Sequence, residues 1–419
     1  MKERSRSPIF VSLDFEIPTF CGTLWSENLR GKELFSFEYA GEWLASDRRF
    51  LLDPNLKFFR GPQYSQSENF GIFLDSSPDR WGRFLIKRRE ALEARKEGRP
   101  ARILKETDYL LGVHDLYRVG ALRFQRQSSG PYLDNDQNLT APPWTSLREL
   151  EFASLEIEKG SSSENPDYEK WLRMLIAPGG SLGGARPKAS VVDPSGALWI
   201  AKFPARNDVT NVGAWEMVIH QLAKESGIFL PEARVGQFTS AQHTFLVKRF
   251  DRNQKGQRLF FMSAMTALGR SDGDDASTGV SYLHLAELLQ RYGSQADRDL
   301  QELWSRIVFN ILVSNTDDHL RNHGFLVNES GWELSPAYDL NPNPDGDGLK
   351  LNISEDDNSQ SLELVLSIAK YFRIKPHQAP ERLREIQNAV QKWRNVADEC
   401  GLSRAEIEDM ATAFRISDE

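Results

Sequence analysis

Three polar side chains in the second half of the chain have the types and the spacing that phosphoryl transfer from a nucleotide needs. Asp317 and Asn322 lie five residues apart, and a second acid, Asp339, follows seventeen residues later. One carboxylate can orient a hydroxyl group, while an asparagine and an aspartate supply oxygen ligands for Mg²⁺. The spacing therefore predicts a catalytic segment that is followed by a metal-binding acid.

A glycine-rich segment and two lysines lie upstream of these residues. Gly183 and Gly184 precede Lys188, and Lys202 stands alone in an apolar, strand-like run. Glycines let the backbone approach a phosphate closely, although the same segment also fits an ordinary hairpin turn. Glu216 follows Lys202 by fourteen residues on a predicted helix, which suits the lysine–glutamate pair that positions nucleotide phosphates. Taken singly, both charged residues also fit exposed positions on a strand and a helix.

The segment around Asp317 breaks a local rule. Apolar side chains between residues 300 and 312 recur at spacings of three and four, which predicts a buried helix. Asp317 and Asp318 follow that helix directly, although a helix C-terminus favours cations. Such breaks tend to mark functional sites, and the alternative is a solvated turn. His319 and His323 have no cysteine or third histidine nearby, so we expect His319 to brace the loop by hydrogen bonds rather than to bind zinc.

The pattern along the chain predicts an α+β protein with three parts. Residues 1–125 alternate short apolar runs with turn residues, which is typical of a small β-rich domain. An aperiodic segment rich in Ser, Gly, Asn, Asp and Pro then separates it from residues 144–255, where the turn residues 193–196 predict a hairpin. Residues 256–419 are mainly helical and contain the Asp317 segment. The order of the motifs along these parts is that of a bilobal protein kinase.

The composition excludes several classes of protein. A chain of 419 residues is too long for one compact core, and 40% hydrophobic with 27% charged residues is ordinary for a globular protein. Two cysteines, Cys21 and Cys400, cannot build a disulfide framework or a cysteine-based zinc site. No apolar run approaches the roughly 18 residues of a membrane span, and no signal peptide is evident, so we expect a cytoplasmic protein without a membrane partner. The net charge of −8 argues against a nucleic-acid-coating protein.

These motifs resemble the HipA family of serine/threonine kinases, the toxins of bacterial type II toxin–antitoxin systems. The resemblance covers nearly the whole chain and implies a bilobal protein-kinase-like fold, with a small β-rich N-terminal domain and a helical C-terminal lobe. Residues 77–83 and 118–124 are similar to the family's N-terminal domain. The kinase core is matched by residues 183–188, 248–252, 317–322 and 337–339.

The resemblance also implies roles for individual residues. Asp317 would be the catalytic base, Lys202 would contact the phosphates of ATP, and Asn322 and Asp339 would hold Mg²⁺. Ser181 falls where family members have an autophosphorylated serine, and about −1.5 to −2 of added charge there would repel nucleotide phosphate and switch the kinase off. The other ATP-contacting residues would be Gly183, Gly184, Ala185, Arg186, Pro187 and Lys188 over the triphosphate, Lys248, Arg249 and Phe250 at the adenine-lining hinge, and His319 and Tyr338.

Departures from the family pattern leave two questions open. Asp318 doubles the acid where some members have glycine, so either Asp317 or Asp318 could be the base. Residues 260–265 differ from a His-Gln-Glu-Asp-like run in other members, so the substrate need not be the best-known one, a glutamate–tRNA ligase. The resemblance further implies a separate small DNA-binding antitoxin, similar to HipB, and through it operator DNA.

The leading hypothesis is an ATP- and Mg²⁺-dependent protein serine/threonine kinase that arrests growth until its antitoxin binds. Two other functions fit the residues. One is an ATP-binding module without turnover that acts as an antitoxin corepressor at DNA, which the basic segment 80–105 favours. The other is a small-molecule phosphotransferase, because antibiotic and sugar kinases also use an Asp-x₄-Asn pair followed by a second Asp.

Overall fold

The structure is a computed structural model that describes residues 6–14, 16–133, 142–160, 165, 167–179, 184–328 and 330–416. Its backbone divides into two compact units, each assembled from two stretches of chain. The first unit comprises the residues up to Asn207 together with Asp251–Met262, and the second comprises Asp208–Phe250 together with Ser263–Glu419. The three-domain division expected from the sequence stays a prediction.

A five-stranded antiparallel sheet organises the N-terminal part of the first unit. Its strands, in spatial order β4-β3-β2-β1-β5, are β1 (Arg6–Asp14), β2 (Pro18–Leu29), β3 (Lys32–Tyr39), β4 (Gln63–Tyr64) and β5 (Leu122–Gln125). Alternate residues Ile9, Val11 and Leu13 of β1 are buried, as expected for a sheet that packs one face on a core. Arg30 and Gly31 both have positive φ angles, 51° and 85°, which suits the tight turn between β2 and β3.

Helices and a further hairpin also belong to the first unit. The helices are α1 (Gly41–Ala45), α2 (Gly71–Asp75), α3 (Arg80–Lys96), α4 (Glu106–Leu111), α5 (Leu147–Glu158) and α6 (Tyr168–Gly179). The antiparallel strands β6 (Lys188–Val192) and β7 (Leu198–Lys202) form the hairpin predicted from the turn residues 193–196. The carboxylate of Asp193 closes that turn by accepting hydrogen bonds from the backbone N–H groups of Ser195 and Ala197, at 2.8 and 2.9 Å.

Helices dominate the second unit. They are α7 (Val212–Glu225), α8 (Ala264–Ala267), α9 (Tyr282–Tyr292), α10 (Ala296–Leu312), α11 (Leu362–Ser367), α12 (Gln378–Val390), α13 (Trp393–Glu399) and α14 (Arg404–Asp409). Its strands form two antiparallel pairs, β8 (Ala233–Gly236) with β9 (Thr244–Lys248), and β11 (Gly324–Asn328) with β12 (Gly331–Leu334). A further strand, β10, spans Phe260–Ser263, where the two units meet along the sequence.

Short 3₁₀ helices occur in both units. They span Asp115–Tyr117, Trp144–Ser146, Ala276–Thr278, Leu320–Asn322, Ala369–Phe372 and Ala411–Ala413. In the part of the chain that the structure describes, no helix combines the length and apolar character needed to cross a lipid bilayer.

Helix α10 forms the core of the second unit. The apolar residues that predicted a buried helix, from Leu300 to Leu312, are all fully buried. Trp304 lies among them, and its indole N–H donates to the carbonyl of Val365 at 2.9 Å, so the one polar atom of this large side chain is satisfied. The prediction of a buried helix is confirmed, and the helix places residues 313–323 at the edge of a rigid core.

Helix α7 starts with a close backbone approach that only glycine permits. A Cβ atom at Gly213 would lie 2.1 Å from the carbonyl oxygen of His243. We expect Gly213→Ala to lower the free energy of unfolding by about 1–3 kcal/mol, because backbone must move to admit the methyl group. Urea denaturation monitored by tryptophan fluorescence measures this loss.

The control for this substitution is Gly41→Ala in α1, where the new Cβ would meet only the guanidinium of Arg60 at 3.7 Å. That variant should be neutral or slightly more stable, since alanine favours helix over glycine. Equal midpoints for the two variants would show that the contact at Gly213 does not constrain the fold.

Candidate active site

The two acids that follow α10 have opposite environments. Asp317 is exposed, whereas Asp318 is only 2% exposed. The chain turns between α10 and this pair at Ser314, which has a φ of 48°, in the left-handed region that non-glycine residues rarely adopt. The turn therefore directs one carboxylate to solvent and the next one into the core.

Asp318 is the centre of a buried hydrogen-bond network. Its Oδ2 accepts from the hydroxyl of Tyr282 at 2.7 Å, from Nδ2 of Asn310 at 2.6 Å, and from Nε2 of His323 at 2.9 Å. A carboxylate can only accept, so Nε2 of His323 has the proton. Asn315 extends the network by donating to Oδ1 of Asn310 at 3.0 Å. Through this one oxygen, α9, α10 and His323 before β11 are all bonded to Asp318, the residue next to Asp317.

The environment of Tyr282 keeps its hydroxyl protonated. Burial, together with the negative charge of Asp318, raises the pKa of Tyr282 well above its ordinary value. The phenol therefore remains a hydrogen-bond donor at neutral pH. The sequence pattern alone does not reveal this donor, because Tyr282 is spaced with Leu285 and Leu289 as part of one apolar helix face.

Asn322 is fixed to the backbone of Asp317. Its Nδ2 donates to the carbonyl oxygen of Asp317 at 3.0 Å, and the side chain is largely buried. His319 caps the start of the 3₁₀ helix Leu320–Asn322, because its Nδ1 accepts from the backbone N–H of Arg321 at 3.2 Å. This is the bracing hydrogen bond that the sequence predicts for His319. With Nδ2 engaged, the amide Oδ1 is the atom of Asn322 that can face a cation.

Asp339 lies beside the same segment. The hydroxyl of Tyr338 donates to the carbonyl of Arg321 at 2.7 Å, and the ring of Tyr338 lies 5.4 Å from that of Phe250, between ring centroids. Asp339 itself has a φ of 59°, a second left-handed residue that is not glycine. Strained backbone of this kind persists where surrounding contacts over-determine it, and it clusters at functional sites.

The loop after Asp339 is also bonded to the segment before Asp317. The backbone N–H of Asn341 donates to Oδ1 of Asn315 at 3.4 Å. Nδ2 of Asn343 donates to the hydroxyl of Thr316 at 2.9 Å. Tyr338, which precedes Asp339, and Asn341 and Asn343, which follow it, thus hold Asp339 next to residues 315–321.

The residues present fit Mg²⁺ by ligand type. Within the described ranges, no group of three or more His, Cys, Asp or Glu is arranged to hold a metal ion. Asn322 and Asp339 instead offer one amide oxygen and one carboxylate. Mg²⁺ is usually bound by one or two protein oxygens and completed by substrate phosphates and water. Their assignment as Mg²⁺ ligands stays a prediction.

The three residues predicted to form the hinge are Lys248, the last residue of β9, and Arg249 and Phe250, which follow it. Lys248 is bonded through its backbone N–H to the carbonyl of Glu232 at 2.8 Å, and its ammonium lies 3.9 Å from the Glu232 carboxylate. Arg249 is 5% exposed. Phe250 contacts Tyr338, so this end of β9 reaches the residue before Asp339. The expected contacts of these three residues with adenine stay predictions.

In the first unit, two candidate lysines lie directly opposite each other. Lys188 on β6 pairs in register with Lys202 on β7. Two like charges directly opposite each other on neighbouring strands repel. The buried ammonium of Lys188 lies 3.4 Å from the carboxylate of Asp79, and this ion pair offsets the repulsion. Burial raises the pKa of Asp79, and the Lys188 ammonium opposes that rise. A Cβ at Gly184 would come within 3.0 Å of the same ammonium.

The remaining residues of the glycine-rich segment are only partly described. Ser181 and Gly183 lie outside the described residues. Gly184 and Ala185 are exposed, while Pro187 is buried. Arg186 donates from Nη2 to the carbonyl of Phe203 at 3.3 Å, which ties the segment to the end of β7. Their expected role over the triphosphate stays a prediction.

Glu216 on α7 is only 5% exposed. It is therefore not the solvent-exposed helix residue that its type alone would suggest. Lys202 belongs to the first unit, and Glu216 and Asp317 belong to the second. The pairing of Lys202 with Glu216, and its place on the phosphates, stay predictions.

A family model described as the HipA-like C-terminal domain matches residues 180–415, which is more than half of the chain.

Three relatives also match. A putative kinase of Haemophilus influenzae is 27% identical over 29% of this chain and 38% of its own. Toxin YjjJ of Escherichia coli is 25% identical over 51% of this chain and 54% of its own. The serine/threonine-protein kinase toxin HipA of Shewanella oneidensis is 28% identical over 30% of this chain and 33% of its own. The matches thus span less than two thirds of each relative.

A solved structure extends the likeness to nearly the whole chain. It is the complex of HipA, HipB and operator DNA from Shewanella oneidensis, with a TM-score of 0.67 at 18% identity, covering 97% of this chain and 94% of that one. The likeness shows a common fold, and the predicted fold class, α+β and kinase-like with a sheet-rich N-terminal part and a helical C-terminal part, is confirmed.

The contrast between the two acids predicts a contrast in stability. Asp318→Ala removes the acceptor of three buried donors, so we expect a loss of about 3 kcal/mol or more in the free energy of unfolding. Asp317→Ala, the matched control on the adjacent residue, should stay within about 0.5 kcal/mol of wild type because that side chain is exposed. Urea denaturation measures both. Equal losses would contradict the assignment of Asp318 as the structural acid.

Proposed function

We propose, since the chain belongs to the HipA family, that it is an ATP- and Mg²⁺-dependent serine/threonine protein kinase. The observation that carries the proposal is the arrangement around Asp317. This exposed acid has Asn322 bonded to its own carbonyl group and the loop of Asp339 bonded to the residues before it. A base and two oxygen ligands on one braced segment are what phosphoryl transfer requires of a protein.

Asp317 is the proposed base. It would accept the proton of a substrate hydroxyl, or orient that hydroxyl, and its exposure gives a protein substrate access to it. Asp318 is the less suitable acid because its Oδ2 already accepts three hydrogen bonds inside the core. The sequence leaves open which of the two acids is the base, and the observed network supports Asp317.

The other proposed roles concern the nucleotide. Asn322 and Asp339 would hold Mg²⁺, which when bound offsets the negative charge of the phosphates. Lys202 and the segment from Gly183 to Lys188 would contact the triphosphate. Lys248, Arg249 and Phe250 would line the adenine pocket, with His319 and Tyr338 completing the contacts to ATP.

The proposed partners follow from the solved complex. HipA of Shewanella oneidensis was crystallised with HipB and operator DNA. We propose a comparable small DNA-binding antitoxin for this chain and, through it, contact with operator DNA. Phosphorylation at Ser181 would regulate the kinase, and the substrate would be a serine or threonine of a protein such as an aminoacyl-tRNA ligase.

The alternative of a DNA-bound module without turnover has less support. Its motivation is the basic segment 80–105, and much of that charge is paired with acids. Glu90 accepts from Arg99 at 2.5 Å and from Arg102 at 3.0 Å, and Arg83 pairs with Glu106 at 2.6 Å. These bonds hold the pKa of Glu90 at about 2, so the acid stays ionised over the whole physiological range. A paired basic segment is a poor anchor for DNA phosphates.

The first test of the proposal is transfer of radiolabel from ATP. Purified wild type, with a bacterial lysate as the source of substrate, should label itself and at least one lysate protein. Asp317→Ala should lower the rate by about 10²–10⁴-fold, because the substrate hydroxyl loses its base, while ATP binding remains.

The control is Asp409→Ala, an exposed acid on α14, which should label at the wild-type rate. Wild-type activity in Asp317→Ala would overturn the assignment of the base. Transfer to small hydroxyl compounds without transfer to protein would favour a small-molecule phosphotransferase. ATP binding with no transfer at all would favour the binding module.

A second test concerns Ser181. Ser181→Ala should lose self-labelling but keep the labelling of lysate protein, because the hydroxyl is an acceptor rather than part of the transfer machinery. Ser195→Ala, at the exposed turn between β6 and β7, is the matched serine control and should label itself normally. Mass spectrometry of the labelled wild type identifies the site. A phosphate mapped to any residue other than Ser181 would contradict the prediction.

A further inference from the structure

Ser314 is the residue at which three segments of the second unit meet. It is 1% exposed, and its hydroxyl accepts hydrogen bonds from Nε2 of Gln360 at 3.1 Å and from Nε of Arg415 at 3.2 Å. Its carbonyl oxygen accepts from the backbone N–H of Asn343 at 3.1 Å. Because its left-handed backbone is costly for a residue with a Cβ, these contacts are what keep the turn before Asp317 in place.

Arg415 bonds both of the loops that carry the proposed site. Its backbone N–H donates to the carbonyl of Leu312, the last residue of α10, at 2.9 Å. Its guanidinium donates from Nε to Ser314 and from Nη2 to the carbonyl of Gly346, at 3.4 Å. One side chain thus reaches the segment before Asp317 and the loop after Asp339.

The segment that presents Arg415 is itself anchored. The hydroxyl of Thr412 donates to the carbonyl of Pro344 at 3.1 Å, beside the Gly346 contact. Phe414 is buried and stacks on Trp393, with ring centroids 4.0 Å apart and an angle of 6° between the planes. Trp215 of α7 lies 6.2 Å from the same ring. Stacked aromatic rings have a defined geometry, so they fix where the next residue lies.

The chemistry of these contacts points to positioning rather than to charge compensation. Among the described residues, the side-chain hydrogen bonds of Arg415 go to a hydroxyl and a carbonyl oxygen, and no carboxylate pairs with it. A planar guanidinium has several donors in a rigid fork and can hold two acceptors at a fixed separation. A lysine, with a single ammonium on a flexible stem, lacks that fork.

We propose that Arg415 is a positioning residue for the phosphoryl transfer proposed above, acting through Ser314 and Gly346. By holding these two residues together, it keeps Asp317 and Asp339 in one fixed arrangement. The inference rests on the proposed kinase function for its kinetic consequence, but its structural consequence is independent of any activity.

Two variants and one control test the proposal on the full-length protein. Arg415→Ala removes the fork, and Arg415→Lys keeps the charge but not the fork. The control is Lys392→Ala, because Lys392 is exposed and its ammonium pairs with the carboxylate of Glu225, at 2.8 Å. For each variant we would measure kcat, the KM for ATP, the melting temperature, and hydrogen–deuterium exchange of peptides covering 313–322 and 339–346.

We expect Arg415→Ala to lower kcat by about tenfold or more, since small displacements of reacting groups are costly. The KM for ATP should change much less, and Arg415→Lys should recover only part of the loss. Exchange should accelerate in both peptides for Arg415→Ala and in neither for Lys392→Ala. Ser314→Ala combined with Arg415→Ala should lower kcat by less than the product of the two single effects, because both single changes break the bond between these two residues.

The results separate the inference from the function on which it rests. Unchanged exchange in both peptides, or wild-type kcat in Arg415→Ala, overturns the positioning role. A fall in kcat that merely follows the melting temperature, without recovery in Arg415→Lys, also overturns it. If wild type transfers no phosphate but Arg415→Ala still accelerates exchange in both peptides, Arg415 does hold the two loops in place and only the kinase proposal fails. If Arg415→Ala does not fold, Arg415→Lys and Ser314→Ala provide the same comparison.

Discussion

The candidate site depends on one oxygen atom, Oδ2 of Asp318. Three donors, from α9, from α10 and from His323 before β11, converge on it inside the core. In a low-dielectric interior each such bond is stronger than in water, and the loss of the acceptor would leave every donor unpaired. The position of the next residue in the chain is fixed by this network. The orientation of Asp317 toward solvent is therefore a property of the core behind it.

Two residues with left-handed backbone border the site, Ser314 before Asp317 and Asp339 itself. Each adopts a conformation that its side chain disfavours, so stable packing elsewhere in the unit must offset the cost. Helix α10 supplies that packing on one side, through a fully buried apolar stripe. The result is a loop whose conformation is fixed by the surrounding packing. If the proposed roles hold, its polar groups are preorganised, and preorganised groups stabilise a transition state with little reorganisation.

Local patterns in the sequence were enough to predict several elements that position the site. The spacing of apolar residues predicts α10, and the turn residues 193–196 predict the hairpin that ends at Lys202. Both features depend on residues close together in sequence. The contrast in exposure between Asp317 and Asp318 could not be predicted, because it depends on the left-handed backbone of Ser314 and on the buried hydroxyl of Tyr282.

Contacts between distant residues were also invisible in the sequence. Lys188 pairs with Asp79, a residue 109 positions away, and no local pattern connects the two. Arg415 reaches Ser314 across 101 positions. Neither contact leaves a periodic or motif-like trace, since a single charged residue near a helix or strand end usually faces solvent. Such pairs become apparent only when the fold brings them together.

The first unit is closed by a stretch of chain that follows the first segment of the second unit, Asp208–Phe250. Arg258, from the returning stretch Asp251–Met262, lies 3.1 Å from Asp14 and 3.2 Å from Asp115. During synthesis, Asp14 and Asp115 leave the ribosome long before Arg258 does, and domains otherwise tend to complete folding in N- to C-terminal order. Asp14 and Asp115 also pair with Arg123, at 3.5 and 2.5 Å, but both carboxylates lack Arg258 as a partner while Asp208–Phe250 of the second unit is being made. The nascent chain consequently cannot finish one unit before it has begun the other.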